Sequence, residues 1–198
     1  TGPGITGGNG PVANMASNAT GNGGDPDLTQ LIGGATYDKC ILEFDFVTTG
    51  DSIKFDYVFA SEEYEFYTCS SFNDVFGFFL SGPGIAGPFT GGAKNIALVP
   101  GSPTCPVGVS TIFCPNMPGC CNTGLYCFGN TPGCGMFNAG NNTCAYFVCN
   151  GGAPGPGTVS YEGFTVVLRA ESEVVPCSTY HIKLAIADKA DQILDSGV

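Results

Sequence analysis

The stretch CILEFDFVTTGDSIKFDYVFA, residues 40–60, alternates apolar and polar side chains so strictly that its reading decides the fold. Leu42, Phe44 and Phe46 share one face of a first run, and Ile53, Phe55, Tyr57 and Phe59 share one face of a second. A period of two is that of an extended strand with one buried side. Thr48, Thr49, Gly50 and Asp51 separate the runs, so the sequence predicts a β-hairpin. Glu43, Asp45, Lys54 and Asp56 then point outward, as on a sheet with one face in water.

Outward from this stretch the same extended pattern recurs. DVFGFFLS, residues 74–81, is apolar at both parities and predicts a central strand covered on both faces. Residues 95–99 predict a short strand, and residues 163–170 and 179–187 predict two more, with Phe164, Val166 and Leu168 and then Ile182, Leu184 and Ile186 as their apolar rows. Residues 1–34 are rich in Gly, Asn and Thr and read as loop with at most one short strand. No run of ten or more residues keeps a period of 3.6, so the expected class is all-β: an antiparallel β-sandwich, jelly-roll-like, forming a single domain over residues 1–198.

Residues 95–161 contain no Asp, Glu, Lys, Arg or His. They hold eight of the 11 cysteines: Cys105, Cys114, Cys120, Cys121, Cys127, Cys134, Cys144 and Cys149. Residues 101–160 are therefore expected to be a long cysteine-rich insertion fixed by disulfides rather than by a core, and covered by another subunit or by glycans. Cys40 and Cys177, both at strand starts, are expected to join each other, with Cys69 reaching into the insertion. So many cysteines without a CxxC pair point to an oxidising, extracellular setting, and a single histidine argues against zinc. Two N-x-[ST] sequons, at Asn18 and Asn141, offer glycosylation sites.

Six Lys and Arg against 17 Asp and Glu give a net charge of -11. That balance excludes nucleic acid as a partner, and no apolar run is long enough for membrane insertion. No basic and apolar leader opens the chain at Thr1. The acids concentrate just before the central strand, in FASEEYEFYTCSSFND (59–74), with no Lys or Arg between Lys54 and Lys94. Carboxylates against a core strand need compensation, and a hard cation supplies it. Calcium is the expected cofactor, with Asp25, Asp27, Glu62, Glu63, Asn73, Asp74 and Asp188 as its candidate ligands and Asp191 and Asp195 beside Asp188 in ADKADQILD. Asp25 and Asp74 also suit turn capping. No EF-hand spacing is present, so such a site draws on separate loops.

Catalysis finds no support. His181 lies within an alternating strand pattern and reads as a surface residue, and none of the nucleophile-elbow, HExxH, phosphate-loop or dinucleotide motifs occurs. A glycosidase needs two carboxyls converging across ~5–9.5 Å, whereas adjacent Glu62 and Glu63 on a strand point to opposite faces. A hydrolase pairing Glu62 or Glu63 with Asp74 or Asp188 is the least favoured alternative. The expected function is a non-enzymatic, extracellular structural or adhesive surface module, calcium-stabilised and self-associating, a candidate subunit of an extracellular filament. Copies of itself, other cell-surface components and glycans are its expected partners. The alternative is a calcium-dependent carbohydrate-binding module presenting Tyr64 and Tyr67; the absence of Trp counts against it.

GDPDL (24–28), residues 40–84, NIALVPG (95–101), YEGFTVVLRA (161–170) and TYHIKLAIADKADQILDSGV (179–198) together resemble the choice-of-anchor L domain family. The resemblance implies a secreted bacterial surface module without an established catalytic activity, and its EEY and FND motifs fall on Glu62, Glu63, Tyr64 and on Phe72, Asn73, Asp74. It also implies a further strand after Asp195–Val198, and hence a sheet edge that a neighbouring copy can complete.

Overall fold

The computed structural model describes residues 19–64, 67–68, 70–114, 134, 143–150 and 161–198. Its strands pair antiparallel throughout, so the expected all-β class holds. One sheet has the order β1-β9-β4-β5, from β1 (Thr36–Val47), β9 (Thr179–Lys189), β4 (Val75–Ser81) and β5 (Lys94–Asn95). The facing layer is built from β2 (Ser52–Tyr57) paired with β8 (Leu168–Glu173). It runs on into β3 (Ala60–Ser61) and β7 (Gly163–Thr165), flanked by β10 (Ser196–Gly197) and β6 (Phe147–Cys149).

The expected hairpin is not formed. β1 pairs with β9, from Thr36↔Lys189 to Val47↔Thr179, whereas β2 pairs with β8, from Ser52↔Glu173 to Tyr57↔Leu168. The turn at 48–51 thus carries the chain from one layer to the other. Alternation identifies strands and their buried faces but not their partners, and both arms bury an apolar row in a sandwich just as well as in a hairpin.

β4 is central, as its two-sided apolar sequence predicts. Phe76, Phe78 and Leu80 point into the sandwich core with Tyr57, Leu168, Ala170 and Ile182, while Val75 and Phe79 face the opposite side. There they meet Leu28, Leu31 and Ile32 of a helix, α1 (Pro26–Ile32), in the segment the sequence reads as loop. The helix carries its own start and stop signals. Asp25 caps it by accepting from the Asp27 and Leu28 backbone N–H groups, Pro26 supplies a pre-set φ, and Gly33 ends it at φ 69°.

The cysteine-rich region is not held by disulfides alone. Cys105, Val107, Val109, Ile112 and Phe113 are all fully buried in the main core. Disulfides join Cys105 to Cys134 and Cys114 to Cys144, and Cys149 is also bonded. Cys40 and Cys177, in contrast, are free and exposed, which corrects the expected bridge between them. Cys177 donates its N–H to Thr48 O beyond the far end of β1, eight residues of strand from Cys40. That is about 26 Å at strand rise, against a Cα separation below ~7 Å for a disulfide. Cys69, Cys120, Cys121 and Cys127 and both sequons, at Asn18 and Asn141, lie outside the described residues.

Candidate acidic seam

The two glutamates of the EEY motif follow β3 directly and diverge. Glu63 turns towards the start of β4: its Oε2 accepts the Asp74 N–H at 3.1 Å, and the two carboxyls lie within hydrogen-bonding reach of each other. Asp74 stands at the entry to the central strand with no exposed surface, its Oδ1 accepting the Lys189 N–H and its Oδ2 the Ser196 hydroxyl at 2.6 Å. Asp188, on the neighbouring β9, joins them, and its Oδ1 is buried with no hydrogen-bond partner. Three elements thus bring Glu63, Asp74 and Asp188 together at one end of the sandwich.

Burial dominates the electrostatics. It pushes the Glu63 carboxyl up to about 8, with further repulsion from Asp191 and Asp188. Burial raises Asp188 to about 8 as well, helped by the Asp74 charge, and drives Asp74 well above the usual carboxylate range, with Glu63 adding to the effect. Lys189, the cation felt by Glu63, is itself partly buried and held below the usual lysine range. At neutral pH such a group must either hold protons or gain a cation. Among the described residues, no three His, Cys, Asp or Glu side chains are already gathered as a metal site.

The other candidate ligands serve different tasks. Asn73 Oδ1 accepts the Ser110 N–H at 2.8 Å, and Val109 N–H bonds to Asp74 O at 3.2 Å, so this corner grips the buried loop at 105–113. Gly108 is needed there, because a Cβ would stand 2.8 Å from Asp74 O. Asp25 and Asp27 are taken up by Lys183, whose ammonium lies 3.0 Å from both Asp25 oxygens, contacts Asp27 Oδ2 and sits over the Phe79 ring. Thr90 donates twice more to Asp27 Oδ1, at 2.9 and 2.8 Å. Burial opposes these charges, yet the Lys183 bonds hold Asp27 below its ordinary value and the two aspartates hold Lys183 above its own. Glu62 leads to Asp195, one of the candidate acids of the C-terminal stretch, and to Glu162, which the sequence reading did not place among the ligands.

His181 behaves as a surface residue. Register puts it between Asp45 of β1 and Ser81 of β4, a Ser–His–Asp order that invites comparison with hydrolases. Its ring nitrogens, however, face Asp45 Oδ1 at 2.8 Å and Glu43 Oε1 at 3.3 Å, so neither is aimed at Ser81. Nor can Tyr64 serve as a sugar platform, since it is fully buried and packs on Phe59 and Phe147.

The described residues form a β-sandwich with a buried acidic seam at one end. The family model described as Choice-of-anchor L domain matches residues 2–198, essentially the whole sequence, and the chain belongs to this family. Membership places it among surface-associated modules, on the cell surface or secreted, a family not known for enzymatic activity, and no helix among the described residues is long and apolar enough to cross a membrane. No curated protein and no solved structure matches it.

Proposed function

We propose that the chain is an extracellular structural or adhesive module that associates with copies of itself along β1, with calcium at Glu63, Asp74 and Asp188 holding the sandwich in its binding-competent form. The observation that carries this reading is the open side of the long sheet. Among the described residues β1 is its edge strand beyond the Gly23–Tyr37 bridge, and along it Leu42 is 59% and Val47 63% exposed, with Phe44 at 39%. Edge strands are normally kept short, charged or covered, because unpaired N–H and C=O groups recruit another strand; β1 is 12 residues long, and although Glu43 and Asp45 charge one of its faces, Leu42 and Phe44 leave the other apolar. Here the row Leu42, Phe44, Phe46 faces the side on which the second layer provides only β2 and β8. A strand from a neighbour fills such a gap, and head-to-tail repetition gives a filament.

The charge of -11 opposes close approach of copies. Calcium bound in the seam lowers it, which couples assembly to the ion. Multi-angle light scattering of the purified chain in calcium and in chelator tests this. Wild type should form oligomers with calcium, and the pair Leu42→Lys and Phe44→Glu should remain monomeric while keeping wild-type thermal stability. Wild-type monomers at high protein concentration in calcium would refute the assembly role.

A further inference from the structure

We propose that Glu62, Glu162 and Asp195 form a second divalent-cation site, of the calcium class, which latches β10 onto the sheet. It uses none of the side chains assigned to the first site and stands whether or not that site binds. The register puts the three residues side by side. Ser61 of β3 is paired with Gly163 of β7 on one side and with Ser196 of β10 on the other. One step along, Glu62 is therefore flanked by Glu162 and Asp195, and the Glu62 N–H bonds to Asp195 O at 3.2 Å. Adjacent strands lie ~4.8 Å apart, so three carboxylates occupy one row across three strands, an arrangement that repels when the charges are bare.

All three are buried, with exposures of 2% for Glu62, 8% for Glu162 and 4% for Asp195. Both carboxylate oxygens of Glu62 lack a hydrogen-bond partner, and it has no cationic partner among the described residues. A buried carboxyl with neither oxygen satisfied is costly unless something enters to satisfy it. Burial raises its proton affinity to about 8, Glu162 and Asp195 adding to the effect, and the nearby Tyr161 hydroxyl is pushed up to about 12 by burial, with Asp195 and Glu62 adding to it. A hard cation with six to eight oxygen ligands matches three carboxylates completed by water or backbone oxygens.

The latch follows from what the row joins. β10 has only two residues, paired among the described residues with β3 alone, and its Gly197 packs so closely on Tyr161 that a Cβ would stand 2.3 Å from the hydroxyl oxygen. So short an edge strand is weak by itself. An ion shared by Asp195, Glu62 and Glu162 ties it to both β3 and β7, and its loss frees the segment from Asp195 to Val198.

Calorimetric titration of calcium into the chelator-stripped chain at pH 7.5 provides the test, with hydrogen exchange read at Glu62, Ser196 and Gly197. Wild type should bind two ions, and Glu162→Gln should bind one fewer while keeping the ion that Asp188→Asn removes. Calcium should slow exchange at the three amides by about tenfold or more in wild type but not in Glu162→Gln, since local opening reports local stability. Unchanged stoichiometry in Glu162→Gln overturns the latch and leaves the first site standing. One ion lost in Glu162→Gln and none in Asp188→Asn supports the latch and removes the first site. If these variants do not fold, wild type alone decides: calcium that leaves the Ser196 and Gly197 amides unprotected overturns the proposal.

Discussion

Removing divalent cations should reverse the usual pH dependence of a protein's stability. Glu63 has an ordinary value of 4.5 and a folded value of about 8. Between those limits the folded chain keeps a proton that the unfolded chain has released, so stability is full below about 4.5 and falls as pH rises towards 8. One pKa unit corresponds to ~1.4 kcal/mol, which sets a limit of about 5 kcal/mol for ionising Glu63 in an unrelaxed site. Asp74 is counted with Glu63 as one pair sharing a charge, and Asp188 acts in the same direction. Against a typical domain stability of ~5–15 kcal/mol, that is a large fraction. For a chain of this size 1 kcal/mol moves Tm by ~2–4 °C, so in chelator Tm should fall by about 10 °C between pH 5 and pH 8.5. If the seam binds calcium as proposed, the ion takes the proton's place, and a saturating concentration should abolish the fall. Circular dichroism melts at four pH values, with and without calcium, measure both. A Tm in chelator that stays level or climbs over this range would show that the seam carries no such burden.

Two further changes probe the scaffold. Lys183→Met leaves Asp25 and Asp27 buried without their cation and should cost about 3–5 kcal/mol, read in urea unfolding; adding Asp25→Asn and Asp27→Asn, which keeps a capping side chain, should recover most of the loss. Paired replacement of Cys105 and Cys134 by Ala opens a bridge spanning 29 residues and should cost about 3–4 kcal/mol, whereas in the native protein Cys40 and Cys177 should react with a thiol reagent without any loss of Tm.

Strand character was legible in the sequence wherever a period of two or a two-sided apolar run existed, as for β1, β2, β4 and β9; the single strand expected over residues 163–170 is instead two, β7 and the start of β8, separated by the exposed Val166 and Val167. Pairing was not, because alternation in residues 40–60 is satisfied equally by a hairpin and by two strands in opposite layers. α1 escaped because seven residues are too few for a helical period, although Asp25, Pro26 and Gly33 spell out its ends. Most of the acidic seam was visible: Glu62, Glu63 and Asp74 crowd one short stretch, and Asp188 and Asp195 lie in the acidic C-terminal one. Glu162 was hidden 100 positions away from Glu62 and becomes its neighbour only through the β3–β7 register. Asp25 and Asp27 look the same as calcium ligands in composition, and only the fold reveals that Lys183 occupies them.

The central claim, that a cation holds the seam together, is tested most directly by long-wavelength anomalous diffraction from crystals grown in calcium. The expected result is a calcium peak between Glu63, Asp74 and Asp188 with carboxylate oxygens at ~2.3–2.6 Å. A map with no peak there, and with Glu63 and Asp74 joined directly by a shared proton, would contradict it.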